Sequence, residues 1–229
     1  TGILKEVAPG VHWLRMPLPF QLNHINLWVL EDGDGWTLID TGINRDEIKE
    51  FWEGLFSGPL SGRPVKRLIV THYHPDHIGL AGWLTKKLGI EMWATENEWN
   101  SANLFYNDTG PDFLDRSRSF YGACGFNEEL MAVVEERHNP HPTRVYELPE
   151  SYRKIADGDV IDINGRDWRV IVGTGHSPEH ACLYCADHQV LISGDQILPK
   201  ITPNVSVWMP FPDSDPLSEL LGSLDNFRD

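Results

Sequence analysis

Cysteine is scarce in this sequence. Its 229 residues include three cysteines, Cys124, Cys182 and Cys185, which are too few for the dense disulfide framework of small secreted domains. Cys182 and Cys185 form a lone C-x-x-C within an apolar run. Without a second pair to complete four ligands, this spacing predicts buried strand residues rather than a zinc or redox site. We therefore expect a reduced, cytoplasmic setting.

Long hydrophobic runs are also missing. No stretch reaches the roughly 18–20 apolar residues that a bilayer-spanning helix needs. The first residues do not combine a basic segment with an apolar one, as a signal peptide would. We therefore expect no membrane partner. The sequence begins at Thr1 rather than Met, so it is also compatible with a signal peptide that has been removed.

Basic residues are outnumbered by acidic ones. The chain has 19 Lys and Arg against 34 Asp and Glu, which gives a formal net charge of −15. Such a chain repels phosphate backbones and anionic membrane surfaces. The composition therefore argues against nucleic acid as a partner, and the oligomeric state stays open.

Strand and helix patterns alternate along the chain. Apolar residues recur at helical spacing over 44–56 and 77–88, and short apolar runs around them have the composition of strands. Strand patterns dominate again after residue 160. Between these halves, residues 95–140 predict two or three helices. This order indicates a layered α/β architecture with a helical insertion around 95–140.

The strongest chemical signal is the run His72-Tyr73-His74-Pro75-Asp76-His77, which follows a predicted strand. His72 and His74 are two residues apart on extended backbone, so both rings project to one side. Asp76 and His77 follow at a turn that opens a helix and can face a second position. Imidazole and carboxylate groups suit zinc, iron or manganese. Two such cations about 3.5–4 Å apart would hold one bridging hydroxide.

Two further ligand-type residues occupy equivalent positions later in the chain. His176 follows a predicted strand through Gly173-Thr174-Gly175, and Asp195 follows another through a glycine. Glycines at such points allow the backbone to bend and to approach another group closely. We therefore expect His176 and Asp195 to join the first cluster.

The order HxHxDH, GTGHSPEH and ISGDQ resembles the metallo-β-lactamase fold superfamily, which includes glyoxalase II enzymes and lactonases. The opening segment HINLWVLEDGDGWTLIDTG is similar to the first strands of that superfamily, and the resemblance runs from about residue 10 to about residue 200. It implies a four-layer αβ/βα sandwich of two mixed β-sheets flanked by helices. Residues 1–229 would form a single domain.

The resemblance assigns the six candidate ligands to two sites. The first metal would be bound by His72, His74 and His176, and the second by Asp76, His77 and Asp195, with Asp195 bridging. The resemblance also implies supporting roles behind the ligands. Asp40 would brace the HxHxDH loop through hydrogen bonds, and His180 would stand behind the ligands in a similar way.

One feature of the superfamily pattern is absent. A further histidine normally completes the second site, but no histidine follows His188, and residues 199–229 contain none. We therefore expect that the sequence lacks the C-terminal part of the pattern. The completeness of the second site stays open.

The predicted activity is binuclear metal-dependent hydrolysis. A metal-bridging hydroxide would attack an ester, thioester, lactone or amide carbonyl of a small molecule, and Asp76 would accept its proton. We expect two divalent metals, with zinc first and iron or manganese also suitable. Two alternatives stay open: a mononuclear iron dioxygenase acting on a thiol or persulfide, and a metal-binding protein without turnover whose second site is degenerate.

Substrate contacts are harder to predict. His24 precedes a predicted strand and Asn204 lies in the loop after Asp195, so we expect both to line the substrate pocket. His138 and His141 form an H-x-x-H in a Pro-flanked loop and are expected to be surface residues. The helical insertion could select substrate as a lid or merely cover a sheet edge.

Overall fold

The computed structural model describes residues 2–137 and 139–228 and arranges them as two β-sheets flanked by helices. The first sheet contains, in spatial order, β1 (Leu4–Ala8), β2 (Val11–Pro17), β3 (His24–Asp32), β4 (Gly35–Ile39), β5 (Val65–Ile69), β6 (Met92–Ala94) and β7 (Arg153–Lys154). Strands β1 to β4 are antiparallel to their neighbours, whereas β4 to β7 run parallel. This sheet is therefore mixed, as predicted.

The second sheet contains β11 (Val190–Ile192), β10 (His180–Cys185), β9 (Arg166–Gly173) and β8 (Val160–Ile163), in that order. The predicted fold class is confirmed, but the described pairings of this sheet are all antiparallel rather than mixed. The physical reason is that short turns join its strands, and short turns can connect only antiparallel neighbours. Asn164 and Gly165 between β8 and β9 both have positive φ, which is typical of such a hairpin.

Helices cover the outer faces of both sheets. The described helices are α1 (Asp46–Ser57), α2 (Pro75–Ile78), α3 (Ala81–Leu88), α4 (Glu96–Asn107), α5 (Asp112–Ala123), α6 (Glu128–Arg137), α7 (His141–Arg144) and α8 (Pro216–Ser223), with a 3-10 turn at Leu224–Phe227. The predicted helical insertion around 95–140 corresponds to α4–α6, and α7 follows it directly. None of the described helices has both the length and the apolarity needed to cross a membrane.

The core divides into two apolar clusters. The larger one lies between the first sheet and its helices and includes Leu38, Trp52 and Leu84. The smaller one lies between the sheets and includes Ile39 and Trp168. Because successive side chains of a strand point to opposite faces, a strand covered on both sides buries every residue, as β4 does.

The two sheets meet at one edge. The N–H of Ala181 on β10 donates a 2.9 Å hydrogen bond to the carbonyl of Thr71, just beyond β5. Cys182 and Cys185 are buried in β10, as their apolar surroundings in the sequence predict. The loops that follow β5, β9 and β11 therefore converge, and these loops carry the candidate ligands.

Candidate metal centre

The loop after β5 is anchored by Asp40, which is buried and has a φ of 63°. Its carboxylate accepts hydrogen bonds from the backbone N–H of Thr71 and from the Thr71 hydroxyl, both at 2.8 Å. The same carboxylate lies 2.7 Å from Nδ1 of His77. A proton on Nδ1 leaves Nε2 of His77 as the free lone pair, facing the convergent loops.

Three imidazole nitrogens form a tight triangle at the centre of the cluster. Nε2 of His72 lies 3.0 Å from Nδ1 of His74, which lies 3.0 Å from Nε2 of His176. The third side of the triangle, from His176 to His72, is 3.1 Å. Neutral imidazoles cannot satisfy all three contacts, because a ring nitrogen carries at most one hydrogen and directs it along one line.

A single cation fits this triangle. Three nitrogens bound tetrahedrally to zinc at about 2.0–2.1 Å would lie about 3.3 Å apart, close to the observed spacing. In two of these rings, the nitrogen that points away from the triangle also has a hydrogen-bonding partner. Nδ1 of His72 lies 3.0 Å from the Thr71 hydroxyl, and Nδ1 of His176 lies 2.8 Å from the backbone carbonyl of Asn204. Such contacts orient metal-binding histidines.

A second group of ligand atoms adjoins the first. Within it, the ligand atoms of His72, His77 and Asp195 all lie within 4.8 Å of one another. Nε2 of His77 is buried, forms no hydrogen bond within the described residues, and lies 3.5 Å from one oxygen of Asp195. The other oxygen of Asp195 lies 3.8 Å from Nε2 of His176. Asp195 therefore faces both groups of ligand atoms.

The protonation of His72 and His74 suits cations. Burial, reinforced by the neighbouring histidines, lowers the pKa of His72 and His74 well below the usual range, so both rings are neutral, as metal ligands must be. For His77, burial alone would lower the pKa, but the carboxylates of Asp40 and Asp195 raise it well above the usual value. Burial would raise the pKa of Asp195, but His77 lowers it.

Asp76 lies at the first turn of α2 and is partly exposed. It belongs to neither of the two groups of ligand atoms found among the described residues. Burial raises the pKa of its carboxyl group, and the nearby His77 opposes this increase. Asp76 therefore adjoins the cluster, near His77 and Asp195, but lies outside the two groups in which the other five candidate ligands converge.

His180 stands directly behind the cluster. Its ring lies 4.6 Å from that of His72, and its Nε2 accepts a 3.1 Å hydrogen bond from the backbone N–H of Asp195. Gly194 makes this arrangement possible, because a Cβ at that position would lie 2.5 Å from the His180 ring. His180 therefore orients the chain at Asp195.

Glu98 is a buried residue that connects the loops of the candidate site and that the sequence analysis missed. The residue is 1% exposed, and its carboxylate accepts hydrogen bonds from the N–H of Tyr73 (2.8 Å), the hydroxyl of Ser177 (2.6 Å) and the N–H of Glu179 (2.7 Å). Glu179 in turn accepts a 2.8 Å hydrogen bond from the N–H of Asn97. The start of α4 thus joins the loop of His72 and His74 to the loop of His176. An acidic residue in the first turn of a helix is ordinary, so no sequence signal marked it.

The two predicted pocket residues, His24 and Asn204, are not among the described residues that line the cavity beside the cluster. Nδ1 of His24 lies 2.8 Å from Asn23 and 3.0 Å from Arg15 at the start of β3, and His24 does not line the described cavity beside the cluster. Asn204 uses its backbone carbonyl, which contacts His176, while its side chain is exposed.

His141 is not a surface residue, contrary to the prediction. Its ring stacks 5.2 Å from Phe105 and 6.1 Å from Tyr73, because α7 packs against α4. Burial, with a smaller effect of Arg144, lowers the pKa of His141 to about 4. His138 lies outside the described residues.

Comparison with known proteins places this arrangement in a family. The model of the metallo-beta-lactamase superfamily matches residues 21–229. A beta-lactamase domain protein from Burkholderia ambifaria has 40% sequence identity to this chain and a TM-score of 0.89. The match covers 99% of this chain and 65% of the Burkholderia chain. A metallo-beta-lactamase family protein from Thermus thermophilus has 29% identity and a TM-score of 0.81, covering 98% and 71%.

Curated relatives are more distant. The probable metallo-hydrolase YqjP from Bacillus subtilis is 23% identical over 83% of this chain and 58% of its own length. The acyl-coenzyme A thioesterase MBLAC2 from Homo sapiens is 24% identical over 90% of this chain and 69% of its own length. The chain thus spans less than two thirds of YqjP and of the Burkholderia protein. Since the family model covers nearly the whole chain and the fold agrees, the chain belongs to the metallo-beta-lactamase superfamily.

Proposed function

We propose that this chain is a binuclear metal-dependent hydrolase that cleaves an ester, thioester, lactone or amide bond of a small molecule. The observation that carries this proposal is the triangle of imidazole nitrogens of His72, His74 and His176, with sides of 3.0–3.1 Å. The neighbouring group formed by His72, His77 and Asp195 supports a second cation.

His72, His74 and His176 would hold the first cation, and His77, Asp195 and Asp76 would hold the second. When bound, divalent cations of this kind lower the pKa of water and polarise a carbonyl oxygen, which is the chemistry that these hydrolyses require. We expect zinc, because imidazole and carboxylate ligands suit it, and iron or manganese would fit the same donors.

The protein's own groups would position these parts and move the proton. Asp40 holds His77 through Nδ1, and His180 holds the backbone at Asp195. Asp76 adjoins the cluster near His77 and Asp195, where its carboxylate can accept the proton of the attacking water. The supporting residues fix geometry and need not touch the substrate.

The relatives support a hydrolase in general terms. YqjP is named a probable metallo-hydrolase, and MBLAC2 is named an acyl-coenzyme A thioesterase. A thioesterase transfers an acyl group to water. A carbonyl substrate is therefore the class that we propose to test first.

The test compares hydrolysis of p-nitrophenyl acetate, a thioester and a lactone by the chain loaded with zinc or manganese. We expect turnover that a chelator abolishes and that His74→Ala reduces by at least about 100-fold, since removing a ligand removes the first site. His188→Ala is the matched control, because His188 lies in the turn after β10, away from the cluster. Equal turnover by the His74→Ala variant would contradict the proposal.

A further inference from the structure

A cavity of about 390 Å³ adjoins the candidate metal centre. It lies between α4 and residues 206–219, and the loop of His176 forms part of its wall. Trp208 connects the two features, since it lines the cavity and its ring lies 6.0 Å from that of His74. A ligand in this cavity would therefore extend from the position where a carbonyl would meet the cations.

Apolar side chains converge on this cavity although they are open to solvent. Leu104, Trp208 and Phe211 are 43%, 36% and 40% exposed, and all three line the cavity. Tyr73, Pro178 and Pro216 add further apolar surface. Exposed apolar side chains that cluster beside a chemical centre are typical of a binding site for an apolar group.

Charge excludes one class of ligand from the cavity. Among the described residues that line it, no Lys or Arg occurs, and Glu219 is the only acidic residue. The chain as a whole carries a net charge of −15. A phosphate or another anionic group would therefore find no cationic side chain to neutralise it there.

We propose that this cavity binds the uncharged, apolar acyl chain of the substrate, next to the carbonyl that is cleaved. The inference depends on the proposed function and names its substrate class: esters or thioesters with an apolar acyl group of several carbons. Asn97, Asn100 and Ser206 also line the cavity, where they can meet solvent or the edge of the ligand.

The experiment is a series of p-nitrophenyl esters from acetate to decanoate, in which the leaving group is constant and only the acyl chain grows. We expect kcat/KM to rise about two- to fourfold for each added methylene up to roughly hexanoate or octanoate, because each methylene leaves water for an apolar surface. A flat series would overturn the inference. It would indicate that these apolar side chains serve to pack against another segment or another protein.

Two substitutions that shorten side chains of the cavity test whether the acyl chain binds there. Leu104→Ala and Phe211→Ala should each lower the ratio of kcat/KM for octanoate to that for acetate by at least about fivefold. The ratio cancels differences in metal loading between preparations. Val160→Ala is the matched control, because Val160 is a 57% exposed apolar residue on β8 that does not line the cavity. Unchanged ratios in both variants would contradict the assignment.

A binding measurement separates this inference from the proposed function. Octanamide, which is neutral and not an ester, should bind the chain at least tenfold more tightly than acetamide in calorimetry with a chelator present, and Phe211→Ala should reduce that difference. If octanamide binds in this way and no ester, thioester, lactone or amide is cleaved by the metal-loaded chain, the hydrolase proposal is wrong and the apolar site stands. If p-nitrophenyl acetate is cleaved and octanamide binds no more tightly than acetamide, the hydrolase proposal stands and the inference of an apolar site is wrong.

Discussion

The backbone N–H of Tyr73 donates a 2.8 Å hydrogen bond to the carboxylate of Glu98, a residue 25 positions away in the sequence. Tyr73 lies between two members of the imidazole triangle. The same carboxylate also binds the residue after His176 and Glu179. One buried side chain of α4 therefore fixes the distance between the two loops that supply the first candidate site.

Removal of this carboxylate should destabilise the fold. Glu98→Ala leaves three donors without their acceptor, two of them buried, and we expect the free energy of unfolding to fall by about 2–4 kcal/mol. Urea denaturation measures this change. Glu96→Ala is the control, because Glu96 lies on the same turn but is exposed and pairs with Lys154, so its loss should cost less than about 1 kcal/mol. Similar costs for the two variants would show that Glu98 is not a structural link.

Glu98 should also make stability depend on pH. Burial raises its pKa to about 7, although the three hydrogen bonds oppose this increase, whereas an unfolded chain has a value of about 4.3. Between these values the folded state binds more protons than the unfolded state, so the stabilisation present at low pH is lost as pH rises. With a chelator present, the stability of wild type relative to Glu98→Gln should fall by about 2 kcal/mol from pH 5 to pH 8. A constant difference would mean that the carboxyl group ionises normally.

Asp40 should control metal affinity without touching a cation. Asp40→Asn retains a side chain that tolerates positive φ but loses the charge that holds Nδ1 of His77. We expect zinc affinity to fall by about 10–100-fold, measured by competition with a chromophoric chelator. The control is Asp34→Asn, since Asp34 is exposed and pairs with Lys66 in a turn. Unchanged affinity in Asp40→Asn would exclude the proposed bracing role.

His141 should contribute to loss of stability in acid. Its folded pKa is about 4, below the roughly 6.5 of an unfolded chain. Between these values the unfolded state binds more protons, so stability is lost as pH falls below about 6.5. His141→Phe, which keeps a ring beside Phe105, should therefore lose less stability than wild type between pH 7 and pH 5 in urea denaturation. Parallel losses would contradict this role.

Local patterns explain why most of the candidate site was predictable. His72, His176 and Asp195 each follow the end of a buried strand, and strands of two packed sheets that end at one edge bring such residues together. The antiparallel second sheet was also readable, since Asn164-Gly165 is a hairpin signal. The resemblance to the superfamily, however, implied that both sheets are mixed, and this led to the wrong expectation for the second sheet.

Non-local packing explains what was missed. Glu98 acts only because α4 crosses two loops, one of them 81 residues further along the chain at Glu179. His141 is partly buried only because α7 packs on α4. Neither contact leaves a periodic or motif-like trace in the sequence. The cavity beside Trp208 depends on the same kind of long-range contact.

The central claim is that the histidine cluster is a metal centre, and the metal content of the purified chain tests it most directly. Mass spectrometry of the dissolved metals should find about two divalent ions per chain in wild type. The His74→Ala and His77→Ala variants should contain clearly less metal, whereas His188→Ala should contain as much as wild type. One iron per chain would instead favour the mononuclear dioxygenase. Absence of bound transition metal after reconstitution, or equal metal content in the His74→Ala variant, would contradict the account.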